Sequence, residues 1–194
     1  MSEHDIAAPS SWVVRWGQLI SRGEVLDVAC GGGRHSSWFV KRGIAVVAVD
    51  RAPQEIPGAH FVQADLEAGG AWPFAPRRFA GIVVTNYLHR PLFADLRASL
   101  APDGVLIYET FAAGNETVGR PARPDFLLAR GELLGLVTGL QVVAFEDGFL
   151  AHPDRFVQRI AAVRPLAGAG PSRHPLAPPA PGEDGDPGSL ESTG

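Results

Sequence analysis

The stretch Val25-Leu26-Asp27-Val28-Ala29-Cys30-Gly31-Gly32-Gly33-Arg34-His35 decides how the rest of the chain is read. Its first half is an apolar run broken by one acid, a pattern that suits a strand covered on both faces. Its second half holds three consecutive glycines, where backbone can turn sharply and approach a ligand closely. Residues 36–42 then read as a short helix, with Trp38, Phe39 and Val40 partly buried and Gly43 as its stop. A helix that begins at such a turn presents free N–H groups and a partial positive charge, which suits a carboxylate or phosphate.

Outward from this unit the alternation continues. Apolar, β-branched runs predict strands at 44–49, 60–64, 79–85 and 105–108. Helical spacing predicts helices at 10–20, 91–100 and 125–138, with Pro102-Asp103-Gly104 as a turn. Two further strands are expected at 141–146 and 155–163. Their connector is too short for a helical crossover, so they are expected to pair antiparallel. Strands alternating with helices imply an α/β fold, a parallel sheet with helices on both faces.

Bulk properties narrow the function. The chain has 194 residues, enough for one domain with a core, expected over 1–164. Thirteen of the thirty residues from Pro165 to Gly194 are Pro or Gly, so 165–194 is expected to be a disordered tail. The net charge of −4 argues against a protein that grips nucleic-acid phosphates. Cys30 is the only cysteine, so no internal disulfide or cysteine-based metal cluster can form, and no metal is expected. The first residues do not resemble a secretory signal and no apolar stretch approaches a membrane span, which makes the cytoplasm the expected location.

Two motifs carry chemistry. Asp27, Ala29, Gly31 and Gly33 line the turn after the first strand. Asp50 ends the second strand, nineteen residues after Gly31, where an acid can accept hydrogen bonds from ribose hydroxyls. This pair alone fits a dinucleotide as well as S-adenosylmethionine (SAM). Three features favour SAM. Asp27 suits an ammonium group and not a pyrophosphate. Asp65, in Gln63-Ala64-Asp65-Leu66, is placed to accept from an adenine amino group. The antiparallel closing pair does not continue a dinucleotide fold.

Together, 25–34, Val49-Asp50, 63–66, Leu100-Ala101-Pro102-Asp103-Gly104 and the closing hairpin resemble class I SAM-dependent methyltransferases. The resemblance spans about 10–164. In detail it is similar to small bacterial methyltransferases related to the tellurite-resistance group, which share an Ala-Cys-Gly-x-Gly-Arg type of loop. The family usually has Gly where this chain has Ala29. The resemblance implies a seven-stranded sheet of order 3-2-1-4-5-7-6 with strand 7 antiparallel. It also implies Asp50 at the ribose, Asp65 and Leu66 at the adenine, and 27–33 at the methionine end.

The acceptor side is less defined. The loop Thr85-Asn86-Tyr87-Leu88-His89-Arg90-Pro91 is expected beside the transferred methyl, with Asn86 toward the cofactor and Tyr87 and His89 as catalytic candidates. His89 could be the base, because its pKa range suits proton transfer near neutrality, or a residue that caps the next helix. Tyr108, Glu109, Asn115, Arg120 and Arg123 form a candidate acceptor pocket and lid, in which the two arginines could hold an anion. The expectation is methyl transfer from SAM to a small-molecule acceptor by a monomer or homodimer. The alternatives are a dinucleotide-dependent oxidoreductase and a silent SAM-binding regulatory module.

Overall fold

Strand β1 (Glu24–Val28) is an interior strand of one seven-stranded sheet, flanked by β2 (Ala45–Asp50) and β4 (Phe79–Thr85). The order is β3-β2-β1-β4-β5-β7-β6, with β3 at His60–Gln63, β5 at Leu100–Phe111, β6 at Gln141–Leu150 and β7 at Arg155–Val163. The first five strands are parallel. β7 runs antiparallel to both β5 and β6. This is the order and the reversed strand implied by the resemblance. The computed structural model describes residues 7–168 and 173–176. Most of the expected tail lies outside these residues.

The strands are apolar throughout because both faces of the sheet are covered. On one face Val25, Val46, Val83 and Ile107 pack under α1 (Ser11–Trp16) and α2 (Arg34–Lys41), meeting Trp12, Trp16 and Phe39. On the other, Leu26, Val47, Ile82 and Leu106 pack under α3 (Phe93–Ala98) and α4 (Glu132–Leu136), meeting Phe93, Leu96 and Leu133. Neighbouring residues of each strand thus serve opposite faces, as the two-residue period of a strand requires. Strand order reverses about β1, so a crevice opens beyond the carboxyl ends of β1 and β4, where ligands bind in sheets of this kind.

Two expectations are corrected. The turn at 102–104 lies inside β5, which starts at Leu100 and pairs irregularly with β4 between Phe79 and Gly81. Asp103 adopts a left-handed conformation there, and its N–H donates to the Arg164 carbonyl, which keeps the segment hydrogen-bonded. The helix over 125–138 is broken into a 3-10 turn at Pro124–Phe126 and the five-residue α4. Between them, the Leu128 N–H donates to Phe111 and its carbonyl accepts from Ala113, at the end of β5. These bonds hold Leu127 and Leu128 extended, and Gly131 at φ 69° restarts the helix. Tertiary pairing overrides a local helical pattern here.

Ile82 is fully buried in the central strand β4. Ile82→Ala should cost about 2–5 kcal/mol of stability, from lost burial and a residual cavity. Urea unfolding measures this, and a loss under 1 kcal/mol would mean the core is looser than its burial indicates.

Candidate active site

The glycine loop is shaped by left-handed residues. Ala29, Gly31 and Gly33 have φ of 52°, 51° and 73°. A Cβ on Gly33 would collide with Ile56, whereas one on Gly31 would meet open space. Glycine at 33 therefore serves packing as well as conformation, and the loop at 31 leaves room beside its backbone. Ala29 accepts a conformation that costs a residue with a Cβ about 1–2 kcal/mol.

Asp50 fixes the loop to the next strand. Its Oδ2 accepts from the Gly31 N–H at 2.9 Å and its Oδ1 from the Ala52 N–H at 3.0 Å. Each oxygen retains a lone pair, and the carboxylate borders a cavity of about 640 Å³ at the carboxyl ends of the strands. That volume is ordinary for a small-molecule site.

The cavity gathers Ala29, Asp50, Asp65, Leu66, Asn86 and Tyr87 from the carboxyl ends of four strands and the loops after them. Asp65 has one oxygen on the Glu67 N–H, at 2.9 Å. Asn86 sits at φ 55°, its N–H bonded to the Glu109 carbonyl at 2.9 Å, which leaves its side chain exposed at the cavity. Arg51, Ala52, Ala64 and Glu67 also line it, each within two residues along the chain of Asp50, Asp65 or Leu66. Leu88, Thr110, Phe111, Pro121 and Phe126 complete the wall. Thr110 and Phe111 follow the flagged Glu109 directly. Pro121 and Phe126 arrive through loop packing and carry no local signal.

The other candidates lie elsewhere. Asp27 is buried behind the loop, accepting from the Ser36 N–H and hydroxyl at 3.0 and 2.6 Å. Burial raises its pKa to about 6, against the opposing effect of those two bonds. Tyr108 is buried and donates to the Tyr87 carbonyl at 2.7 Å. Glu109 is buried against Ser10, Arg155 and Arg159. Asn115 ties Pro121 to Phe156. Arg120 and Arg123 are exposed and outside the cavity lining, with Arg123 paired to Asp125 at 2.9 Å. His89 is half-buried and also outside it.

Burial raises the Cys30 thiol to about 12, so it stays protonated and unreactive. The Tyr87 phenol is pushed upward by burial first and by Glu67 next, so it remains a neutral hydroxyl.

The residues fit SAM as a cofactor on their own chemistry. Free carboxylate lone pairs on Asp50 and Asp65 match hydroxyl and amino donors, and Ala29 brings the glycine loop to the cavity, while Gly31 and Gly33 lie outside its lining. The reversed β7 between β5 and β6 excludes the repeated crossover of a dinucleotide oxidoreductase. Fold and site define the class: a SAM-dependent methyltransferase of class I topology. The model of the family described as "Methyltransferase domain" matches residues 1–133, and the chain belongs to that family.

Three solved structures share the fold at low identity. TehB from Haemophilus influenzae is 18% identical, with TM-score 0.68, over 84% of this chain and 64% of its own. The chain thus spans under two thirds of TehB. The glycopeptide N-methyltransferase MtfA, complexed with S-adenosylhomocysteine (SAH), is 19% identical, with TM-score 0.58 over 82% of this chain and 91% of that one. A Burkholderia thailandensis 1,6-didemethyltoxoflavin-N1-methyltransferase, with its acceptor and SAH bound, is 20% identical, with TM-score 0.57 over 79% and 76%. No curated protein matches by sequence. No helix among the described residues is long and apolar enough to cross a membrane.

Asp27 makes a testable pH signature. Its folded pKa of about 6 lies above the ordinary 3.8, so the folded state binds the proton more tightly. Its contribution is full below pH 4 and is lost as pH rises through 6, on the order of 3 kcal/mol. The stability difference between wild type and Asp27→Asn should fall across pH 4–6 in urea titrations. A constant difference would place the Asp27 pKa near its ordinary value.

Proposed function

We propose that the chain transfers a methyl group from SAM to a small, largely apolar acceptor that is neutral or cationic. The observation that carries this is the composition of the cavity wall beyond Asn86: Tyr87, Leu88, Phe111, Pro121 and Phe126, with Thr110 as its polar point. Asp50, Asp65 and Glu67 outnumber Arg51, the single cationic side chain among the lining residues. Such a wall disfavours an anion. Arg123 is already paired with Asp125, and its guanidinium lies over Phe126. An oxyanion acceptor therefore has little to hold it.

The cofactor supplies a methyl carbon activated by a sulfonium. Asp50 would hold the ribose and Asp65 and Leu66 the adenine, with Ala29 bringing the glycine loop to the cavity at the methionine end. The aromatic wall excludes water and sets the acceptor in line. Asn86, Tyr87 and Phe111 would set an acceptor's lone pair toward the methyl carbon that the bound cofactor would supply, with the sulfur as leaving group. No histidine lines the cavity and the Tyr87 phenol stays protonated, so an acceptor with a free lone pair, such as a thioether or a weakly basic aromatic nitrogen, fits better than one that must first lose a proton.

Calorimetry should show binding of SAM and SAH and none of NADH. Removing the Asp50 charge (Asp50→Asn) should weaken SAH by roughly tenfold to a hundredfold, the range for a hydrogen bond to a charged group. Binding of NADH in place of SAH would sink the cofactor assignment. With labelled SAM, thioethers and weakly basic aromatic nitrogens should accept methyl groups where oxyanions and carboxylates do not. Preferential methylation of the anions would overturn the acceptor class.

A further inference from the structure

Behind the cavity runs a buried polar chain that the chemistry above leaves unused. His35 is the second residue of α2, two places after Gly33, and is almost fully buried. Its Nε2 lies 3.2 Å from the Ser10 N–H, and its Nδ1 lies 3.4 Å from the Thr85 hydroxyl. A backbone N–H can only donate, so Nε2 accepts and Nδ1 carries the proton toward Thr85. Burial lowers the pKa of the ring to about 3, which keeps it neutral and holds this tautomer. The Ser10 hydroxyl then donates to the buried Glu109 carboxylate at 3.1 Å.

The ends of the chain are placed tellingly. Thr85 precedes Asn86 and Glu109 precedes Thr110, and both followers line the cavity. At its middle, His35 sits in the first turn of the helix that the glycine loop begins. The residues assigned to the adenosine end, Asp50 and Asp65, make no hydrogen bond with it.

We propose that His35 is a positioning residue for the methionine end of the cofactor: its ring locks the start of α2 to Asn86 through Thr85 and to the acceptor wall through Ser10 and Glu109. The inference rests on the SAM reading. Its consequence is a split in ligand affinity. Loss of the ring's two hydrogen bonds loosens the methionine end and leaves the adenosine end intact.

The experiment compares SAH with methylthioadenosine, which keeps the adenosine and lacks the amino-acid group. Both are titrated by calorimetry into full-length wild type, His35→Phe and His35→Gln, with circular dichroism to confirm folding. His35→Phe should weaken SAH about tenfold or more and change methylthioadenosine less than twofold. His35→Gln, which retains an acceptor and a donor, should recover most of the loss. Equal weakening of both ligands, or of neither, overturns the proposal. If His35→Phe does not fold, Thr85→Val removes one bond at constant shape and should give the same selective loss. Wild type binding neither ligand would instead defeat the SAM reading itself.

Discussion

The hydrogen bond from the Gly31 N–H to Asp50 joins the two halves of the site. It ties the loop after β1 to the end of β2 at one point, and so sets the glycine backbone beside the Asp50 carboxylate. Everything around it works to keep that bond. Ala29, Gly31 and Gly33 adopt left-handed conformations along the loop that carries this N–H. Ile56 fills the space where a side chain at position 33 would stand. The sheet beneath is apolar on both faces, so neither strand can slip by one residue without carrying polar groups into a core.

A second set of interactions holds the loop from behind, through Asp27 with Ser36 and His35 with Ser10 and Thr85. These groups are buried, and burial sets their protonation: Asp27 is pushed toward its acid and His35 toward its neutral base. Buried polar groups that find partners specify one arrangement of the elements they join. That is what a displacement reaction requires, since it gains most from geometry and exclusion of water.

The parallel sheet was legible because an apolar run covered on both faces looks different from one half in water. The glycine loop was legible because left-handed backbone at 31 and 33 favours glycine. The closing hairpin was legible from the length of its connector. The helix expected over 125–138 was not, because the extended Leu127-Leu128 segment owes its shape to β5, far away in sequence. For the same reason Pro121 and Phe126 could not be placed at the cavity from local pattern. Asp27 is expected at the methionine end, and only the fold shows that its carboxylate accepts from Ser36 in the first turn of α2. His35 stood inside the decisive stretch from the outset, but only the fold brings Ser10 and Thr85 to its ring.

The central claim is that this crevice holds SAM with its ribose on Asp50 and its adenine by Asp65 and Leu66. A crystal structure of the chain grown with SAH tests it directly. The account predicts both ribose hydroxyls within hydrogen-bonding distance of the Asp50 carboxylate, the adenine against Leu66, and the sulfur facing the Tyr87–Phe111 wall. SAH bound elsewhere, or in the crevice with its ribose away from Asp50, would contradict it.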